Sequence, residues 1–474
     1  MFIKSATFKN YRAFGQEFKL KSTNLAIPDG TTAGSGLTVL VGENGVGKSS
    51  ILDGIAFPLI SYKADAVELH DFTDIRKPLE IVLSASEPFT VKKSMSGDFT
   101  ATGFKFVSKA REQNSSRYLV GTTVSDTYFM ATGSAAPKEG SPDLRTAVDN
   151  PFAGPRFSDN DYVFIDKNRI KTLETGTYST TRFDRVLENL NFLYLKANNN
   201  EPLELHSAVN NIINTGDGDD IANELLEQAF KYFEDITGYK VRLNFIDDTL
   251  PFKKAFLGYT DFDHAQLPIE KIGSGYQMFL ALICQHKLSL QSGKKLIMLI
   301  DEVELNLHPR LQRKLVDLLL EITKDSQVIV TSHSPELLKD LQKNRKHITN
   351  AIVRDEEGIT INPINKFVLP LPTVSETNYV AFGLASMEYF IELYNQFAEN
   401  SGTETIADTD RALAVPDTEK VDWKHPDGHI QRLSVYSCIR NKFHHPNNKQ
   451  NDGKFGMGYE NISSAIEFLR QKIS

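Results

Sequence analysis

The stretch that decides the fold is Gly42-Glu43-Asn44-Gly45-Val46-Gly47-Lys48-Ser49, a full match to the pattern G-x-x-x-x-G-K-[ST]. The apolar run 37–41 before it predicts a buried strand, and residues 50–56 after it predict the start of a helix. Between a strand and a helix, the glycines let successive backbone N–H groups turn towards phosphate, and the helix N-terminus adds the positive end of its dipole. The stretch therefore predicts a phosphate-binding loop.

The side chains of this loop suit a nucleoside triphosphate with Mg²⁺. Lys48 supplies a positive charge to the phosphates, and the Ser49 hydroxyl is a ligand for Mg²⁺. We expect ATP and Mg²⁺ as cofactors. The predicted nucleotide-binding residues of the loop are Asn44, Gly45, Val46, Gly47, Lys48, Ser49 and Ser50.

A second apolar run, residues 296–300, ends in the two carboxylates Asp301 and Glu302. An unbroken apolar run predicts a parallel strand buried on both faces, where no structural need places two acidic residues. The chemistry of ATP hydrolysis does need them. Asp301 is predicted to hold Mg²⁺ through its water shell, and Glu302 is predicted to polarise the attacking water.

Two further segments fit the same site. Residues 327–331 predict another buried strand, which is followed by Ser332 and His333. The turn Gly273-Ser274-Gly275 opens an apolar helix, and such a turn directs backbone N–H groups and a hydroxyl at an anion. An ordinary buried helix with a capped N-terminus also explains the turn.

In this order the motifs resemble those of ABC-type ATPases of the SMC, RecF and OLD families. Residues 273–277 resemble the OLD-like form of the signature motif, with the hydroxyl one place later than in the commoner form, and residues 304–309 resemble the D-loop. The resemblance implies that Lys48, Glu302 and His333 are catalytic and that His333 contacts the γ-phosphate. It also implies head-to-tail pairing of two heads, with each ATP between Lys48 of one subunit and Ser274, Gly275 and Gln277 of the other.

The same resemblance implies an organisation for the whole chain. We expect an α/β ATPase head over residues 1–365, with a helical insertion at about 182–240, and a small all-α domain over 366–474. In the related families an arginine at the place of Arg12 helps to hold the nucleotide, although a surface arginine on a turn explains Arg12 equally well. The glutamine of the metal-sensing loop has no convincing counterpart.

Net charge, cysteine content and the length of the apolar runs restrict the class of protein. The formal charge of −8 gives no basic footprint for nucleic acid over the whole chain, which leaves room for a local basic groove. The two cysteines have no metal-ligand spacing and suit a reducing cytosol, so we expect a cytoplasmic protein. The first residues alternate like a strand and do not resemble a signal peptide, and no apolar run reaches the ~20 residues that span a bilayer.

The C-terminal part contains a second candidate site. We expect helices near 378–399, 429–443 and 459–473, with a loop over 401–428. Arg440 and His445 have the spacing R-x-x-x-x-H, which resembles the motif of HEPN ribonucleases, where His acts as acid or base and Arg stabilises the phosphorane. Cations at the C-terminal end of a helix give an alternative explanation, because they complement the helix dipole.

Three functions remain open from the sequence. The chain, including its tail, resembles the PtuA family of antiphage defence ATPases of Septu systems, which implies an ATP-binding regulator of a partner nuclease and a homodimer or larger homo-oligomer. The alternatives are a self-contained HEPN-type ribonuclease that uses Arg440 and His445, and a RecF-like DNA-repair ATPase. A built-in TOPRIM nuclease is not expected, because Asp408-Thr409-Asp410 is the only such acidic pair in the tail and no β-α-β pattern surrounds it.

Overall fold

The structure is a computed structural model, and the residues it describes fall into two compact units. One unit comprises Met1–Leu337 and Asn344–Pro363, and the other comprises Leu338–Lys343 and Ile364–Ser474. The described residues are 1–59, 67–91, 99–110, 117–123, 127–130, 160–165, 221–245, 255–260, 266–268, 272–342, 346–355, 358–364, 367–371, 373–448, 451 and 459–473.

The first unit combines strands and helices in a mixed α/β fold. Its described strands are β1 (Ile3–Lys9), β2 (Phe18–Leu20), β3 (Leu37–Val41), β4 (Leu79–Val91), β5 (Phe99–Ser108), β6 (Arg117–Thr122), β7 (Thr127–Met130), β8 (Asn160–Ile165), β9 (Lys240–Phe245), β10 (Ala255–Thr260), β11 (Gln266–Pro268), β12 (Lys295–Ile300), β13 (Gln327–Thr331), β14 (Ile348–Asp355) and β15 (Gly358–Pro363). Its described helices are α1 (Lys48–Leu59), α2 (Ile221–Thr237), α3 (Ser274–Ser292), α4 (Pro309–Ile322) and α5 (Pro335–Gln342), which extends into the second unit.

A six-stranded sheet with the order β15-β14-β3-β13-β12-β8 forms the centre of the unit. Five of its strands are parallel, and β15 joins β14 at the edge in the antiparallel sense. Every residue of β3 and β13 is buried, as expected for parallel strands with unbroken apolar runs. The predicted buried parallel strands over residues 37–41, 296–300 and 327–331 are present.

A second six-stranded sheet is antiparallel and has the order β2-β1-β4-β5-β6-β7. Helix α1 packs between the two sheets, because it contacts β4 and β5 on one side and β12 and β13 on the other. Phe8 of β1 stacks with Tyr11 and Phe14, and this aromatic group lies against α1 at Gly54. A Cβ on Gly54 would lie 2.5 Å from the Phe8 ring, so only glycine permits this close packing.

The helical insertion predicted at about 182–240 falls mostly on residues 166–220, which lie outside the described residues. Within the described part, α2 packs against α3, and the rings of Phe233 and Tyr276 meet edge to face. Strands β9 to β11 form a small antiparallel sheet beside α2.

The second unit is mainly helical and also contains a β-hairpin. Its described elements are α6 (Val374–Phe382), α7 (Met387–Asn400), α8 (Ile406–Ala412), β16 (Val421–Lys424), β17 (Ile430–Leu433), α9 (Val435–His444) and α10 (Tyr459–Ile473). Helix α7 packs against α6, α9 and α10 around the buried side chains of Tyr389, Phe390, Leu393 and Ile466.

The hairpin corrects the expectation of an all-α tail and of a helix starting near 429. Strands β16 and β17 pair in the antiparallel sense with Trp423 and Leu433 buried, and this short alternating pattern escapes a search for helical periodicity. Two other details of the expectation were wrong. The predicted helix 378–399 is broken at Gly383, which adopts a left-handed conformation after α6, and the predicted loop 401–428 contains α8. Among the described helices, none is long and apolar enough to cross a membrane.

Candidate functional site

Three strands of the parallel sheet end side by side at the candidate site. Strand β13 lies between β3 and β12, and its Val330 pairs with Val39 on one side and Ile300 on the other. Because the three strands are parallel, their carboxyl ends meet at one edge of the sheet. The phosphate-binding loop, the carboxylates at 301–302 and the segment 332–334 therefore emerge at the same edge.

The loop backbone has the conformation that its glycines were predicted to allow. Gly42 (φ 143°), Gly45 (φ 80°) and Gly47 (φ 102°) all have positive φ values. A Cβ on Gly42 would lie 2.3 Å from the Ile352 carbonyl oxygen, so no other residue fits there without movement. Asn44 and Gly45 are exposed, whereas Val46 is buried and anchors the loop.

Lys48 is the first residue of α1, and its side chain is buried with 5% of its surface exposed. Its Nζ donates to the carbonyl oxygens of Gly42 at 2.9 Å and Glu43 at 2.7 Å, so the ammonium group lies inside the loop. Burial lowers the pKa of Lys48 to about 8, although the nearby carboxylates, first of all Asp301, oppose this change. The negative charge of a phosphate group beside Lys48 would raise this pKa and so oppose the effect of burial.

A chain of hydroxyl and carboxylate groups joins the loop to the two neighbouring strands. The Ser49 Oγ donates to Asp301 Oδ1 at 3.1 Å, and the Thr331 Oγ1 donates to the same oxygen at 2.6 Å. The predicted pair Ser49 and Asp301 is therefore in direct contact, although it comes from segments 252 residues apart. Thr331 was not predicted as a site residue, because its role depends on β13 lying between β3 and β12.

The Thr331 hydroxyl also fixes Glu302. It accepts a hydrogen bond of 2.7 Å from the Glu302 backbone N–H, while Glu302 has a φ of 46°. A left-handed conformation costs a residue with a side chain about 1–2 kcal/mol, and it persists where surrounding contacts determine it. The Thr331 contact is thus one that holds the backbone of the half-buried Glu302 in this conformation.

His333 lies beyond the end of β13, where Glu304 holds its backbone. The Glu304 Oε1 accepts a hydrogen bond of 2.5 Å from the His333 N–H, and Glu304 Oε2 is buried with no hydrogen-bond partner among the described residues. Burial lowers the pKa of the His333 imidazole, and the Lys48 charge lowers it further, against the opposing effect of Glu304. The shift favours the neutral imidazole, which accepts or donates a hydrogen bond according to its tautomer.

The signature-like turn lies against the D-loop-like segment of its own chain. Ser274 is the first residue of α3, and its side chain is outside the described part. Gly275 packs so tightly that a Cβ would lie 2.7 Å from the Asn306 carbonyl oxygen. The Gln277 side chain donates to the Ile272 carbonyl oxygen at 2.8 Å. Their predicted contact with the nucleotide of a partner subunit stays a prediction.

Arg12 lies at the turn after β1 and has a φ of 47°. Its guanidinium donates to Asp53 of α1 at 2.6 Å and to Asp71 at 2.7 Å. Burial opposes its charge, yet Tyr11, Asp53 and Asp71 raise the pKa of Arg12 above its ordinary value. Arg12 thus joins the β1 turn to the helix that begins at the phosphate-binding loop, and its predicted contact with a nucleotide stays a prediction.

The Arg440 and His445 pair lies at the C-terminal end of α9. Arg440 is half-buried, and its Nε is buried without a hydrogen-bond partner among the described residues. His445 is exposed and follows the last residue of α9, with its N–H bonded to the Asn441 carbonyl oxygen at 2.9 Å. The neighbouring His444 is exposed, and burial and Arg440 lower its pKa. No contact joins Arg440 to His445 in the described part.

The acidic pair Asp408 and Asp410 lies on helix α8 rather than on a strand. The Asp408 carboxylate accepts from Thr405, and the buried Asp410 carboxylate accepts hydrogen bonds from Ser434. Within the described residues, these carboxylates thus accept hydrogen bonds from the residues that directly precede α8 and α9.

The donors at the sheet edge match a magnesium ion bound with a nucleotide. Ser49 and Asp301 offer a hydroxyl and a carboxylate oxygen, which are hard ligands of the kind that Mg²⁺ prefers. No cluster of three or more His, Cys, Asp or Glu residues that would hold a metal occurs in the described part of the chain. A magnesium ion bound with a nucleotide takes its other ligands from phosphate and water.

The chain is similar to several known proteins. An OLD nuclease of Thermus scotoductus (strain ATCC 700910 / SA-01) is 24% identical over 408 residues, which cover 79% of this chain and 72% of that protein. Among solved structures, the Smc head bound to the C-winged helix domain of ScpA is 14% identical, with a TM-score of 0.48, and the match covers 77% of this chain and 98% of that one.

Two further SMC structures have the same low identity. The Smc head domain with an extended coiled coil, bound to the C-terminal domain of ScpA from Pyrococcus furiosus, is 14% identical with a TM-score of 0.48 and coverages of 77% and 96%. The SMC head domain of Thermotoga maritima is 14% identical with a TM-score of 0.37 and coverages of 77% and 100%. TM-scores and identities this low support no conclusion about the function of this chain.

The family assignment rests on a match to a family profile. The profile of the family described as "AAA domain, putative AbiEii toxin, Type IV TA system" matches residues 37–339, which is more than half of the chain. This range begins with β3 and contains the phosphate-binding loop, Asp301, Glu302 and His333. The chain therefore belongs to this family of AAA-domain ATPases.

Proposed function

We propose that the chain binds ATP with Mg²⁺ and hydrolyses it at the edge of the parallel sheet. The observation that carries the proposal is the contact of Ser49 Oγ with Asp301 Oδ1, since it brings the loop and the β12 carboxylates into one site. Lys48 and the loop N–H groups would bind the phosphates, and Ser49 and Asp301 would hold Mg²⁺, which supplies charge neutralisation of the phosphates when bound.

The other residues of the site have separate roles in this proposal. Glu302 accepts a proton from the attacking water, and the hydrogen bond from its backbone N–H to Thr331 fixes the backbone that carries the carboxylate. His333 in its neutral form offers a hydrogen bond to the terminal phosphate. Glu304 positions His333 through the bond to its backbone N–H.

Glu302→Gln tests this proposal most simply. The amide keeps the shape of the side chain and cannot accept the proton, so we expect ATP hydrolysis to fall by ~10²–10⁴-fold while ATP binding is retained. Glu321→Gln, an exposed change on α4, is the matched control and should leave hydrolysis unchanged. Hydrolysis by Glu302→Gln at the wild-type rate would contradict the role assigned to Glu302.

We further infer that the protein works as a homodimer or larger homo-oligomer, with composite sites between subunits. The close packing of Gly275 on the D-loop-like segment supports this idea, because one rigid block would then present both segments to a second copy. Head-to-tail pairing makes a specific prediction. In a mixed dimer of Lys48→Ala and Gln277→Ala, one site combines the intact loop of one subunit with the intact signature of the other.

Mixing the two inactive variants should therefore restore hydrolysis. With random exchange of subunits we expect about a quarter of the wild-type rate, since about half of the dimers are mixed and each has one intact site. Two variants in which the defects lie in the same loop, Lys48→Ala and Ser49→Ala, are the control and should not complement each other. No recovery in the first mixture, despite subunit exchange shown by native mass spectrometry, would rule out composite sites.

We propose as the biological role that the ATPase regulates a partner nuclease in antiphage defence. The resemblance to PtuA-type ATPases and the similarity to a protein named OLD nuclease support this role. The role predicts that the purified chain hydrolyses ATP and leaves RNA and plasmid DNA intact until its partner is added. The test is a cleavage assay with tRNA and plasmid, with and without ATP and Mg²⁺.

One result of that assay and one result of a separate DNA-binding assay would favour the alternatives. Cleavage of RNA by the chain alone, abolished by His445→Ala, would identify a HEPN-type ribonuclease and contradict the regulatory role. ATP-dependent DNA binding without any partner nuclease would favour a RecF-like repair ATPase. The unpaired Arg440 Nε is the observation that keeps the ribonuclease alternative worth testing, since a second subunit could supply its partner.

A further inference from the structure

A concave cleft of about 480 Å³ lies on the antiparallel sheet, well apart in sequence from the phosphate-binding loop. Residues of β1, β2, β4 and β5 line it, on the sheet face opposite to the Ala6 and Phe8 side chains that pack in the core. Three lysines and seven serine or threonine residues contribute to the lining, with a single carboxylate and no aromatic ring. This composition is cationic and rich in hydroxyl donors.

A β-bulge in β1 creates the cationic end of the cleft. Ile3 pairs with Ala85, and Ser5 pairs with Ser84, so Lys4 is an extra residue between two successive pairs. In a regular strand Lys4 and Ser5 would point to opposite faces of the sheet. The bulge shifts the alternation, with the result that both line the cleft while Ile3 is buried.

The charged side chains of the lining give the cleft a net positive charge. Neither Lys4 nor Lys21 has an ion-pair partner in the part of the chain that the structure describes, and both are exposed. Lys19 pairs with Glu17 at 2.8 Å on the surface, where such a pair is weak. Glu87, the single acidic side chain of the lining, pairs with two cations, Lys295 at 2.5 Å and the Met1 N-terminus at 3.2 Å, which together offset its charge.

Hydroxyl and ammonium groups are donors to phosphate oxygens, and arginine and amide side chains are among the groups that most often read base edges. The second set does not line this cleft. We propose that the cleft binds phosphate groups, supplied either by the backbone of a nucleic acid or by a small polyphosphate. This site is separate from the ATP site, and the inference does not depend on the proposed function.

The first arm of the test uses a fluorescently labelled 20-bp DNA duplex of arbitrary sequence and measures binding against salt concentration. If backbone phosphates occupy the cleft, Lys4→Glu/Lys21→Glu should weaken binding at least ~10-fold and reduce the salt slope by about 2. Lys231→Glu/Lys314→Glu is the matched control, because it makes the same change of charge at exposed positions on α2 and α4. Lys4→Arg/Lys21→Arg should bind like the wild type.

The second arm measures the binding of pyrophosphate by calorimetry in a Lys48→Ala background, which removes the phosphate-binding loop from the signal. If a small polyphosphate is the ligand, Lys4→Glu/Lys21→Glu should abolish the remaining binding and the α2/α4 control should keep it. Either arm alone supports the cleft and identifies the source of the phosphate. If the cleft variant and the control behave alike in both arms, with unchanged melting temperatures, the proposal is wrong.

Discussion

The edge of the parallel sheet and the C-terminal end of α9 both carry sequence motifs, yet only the first brings its motif residues into contact. At the sheet edge, Ser49 and Asp301 meet through a hydrogen bond although they are 252 residues apart. In α9, Arg440 and His445 are five residues apart and share no contact in the described part. Proximity in sequence is therefore a poor guide to a site, whereas the ends of adjacent parallel strands are a good one.

The physical reason lies in how each region fixes its side chains. The ladder of β3, β13 and β12 sets the positions of three strand ends at once, and the Thr331 hydroxyl joins two of them. One helix end fixes only the backbone, since a C-terminal turn leaves side chains such as His445 in solvent. The sheet edge thus brings its motif residues together within one chain, and the α9 end does not do so in the described part.

The largest effect expected from comparing the two regions is on stability, and it contrasts a crowded glycine at the sheet edge with an open one in the second unit. In Gly42→Ala the new Cβ would meet the Ile352 carbonyl at 2.3 Å at a φ of 143°, so we expect a loss of about 3 kcal/mol in unfolding free energy. Gly383→Ala, at a φ of 69° with open space around it, should lose only about 1 kcal/mol.

Chemical denaturation measures both changes. Circular dichroism follows the unfolding of the Gly42→Ala variant. The fluorescence of Trp423, the single tryptophan, follows the unfolding of the second unit, which contains Gly383. Equal losses in the two variants would contradict the account of the loop, because they would mean that the Ile352 contact imposes no cost.

The second prediction concerns the hydroxyl that joins the strand ends. Thr331→Val removes the donor to Asp301 and the acceptor for the Glu302 N–H, so hydrolysis should fall by ~30-fold, which corresponds to about 2 kcal/mol. Thr349→Val in β14 is the matched control, since the buried Thr349 hydroxyl has no hydrogen-bond partner among the described residues. That control should keep full activity, and a similar loss in both variants would show that Thr331 acts only through packing.

The smallest expected effect is a proton taken up when ATP binds. Because burial lowers the pKa of Lys48 to about 8, the group is about half-protonated at pH 8 before binding. A phosphate beside it raises this pKa, so binding at pH 8 should take up about half a proton, and at pH 6 almost none.

Calorimetry in buffers of different ionisation enthalpy measures the uptake. Lys48→Arg provides the control, because a guanidinium stays protonated in both states and should show no uptake. The same uptake at pH 8 in the wild type and in Lys48→Arg would place the titrating group elsewhere.

The parts of the site that the sequence predicts are those with a local signature. Gly42 to Ser49, Asp301 and His333 each follow an apolar run that can be recognised without knowledge of the fold. Thr331 and Glu304 could not be predicted as site residues, because their roles depend on contacts between β13 and the residues after β12. The bulge at Lys4 was equally hidden, since it depends on how β1 pairs with β4.

The predicted mixed α/β fold was confirmed. It could be predicted because buried parallel strands have long apolar runs, which are a local signature in the sequence. The hairpin of β16 and β17 was missed because each strand has four residues and buries few of them. The break at Gly383 was missed because helical periodicity continues through it into α7, although a glycine in this position commonly ends a helix.

The central claim is that the phosphate-binding loop and the end of β12 form one site for ATP and Mg²⁺. The most direct measurement is the Mg²⁺ concentration that gives half-maximal ATP hydrolysis in Ser49→Ala, Asp301→Asn and the double variant. If both residues hold the same ion, each single change should raise that concentration about tenfold or more, and the double variant should be little worse than the poorer single variant. Independent, additive shifts, or no shift in either single variant, would contradict the claim.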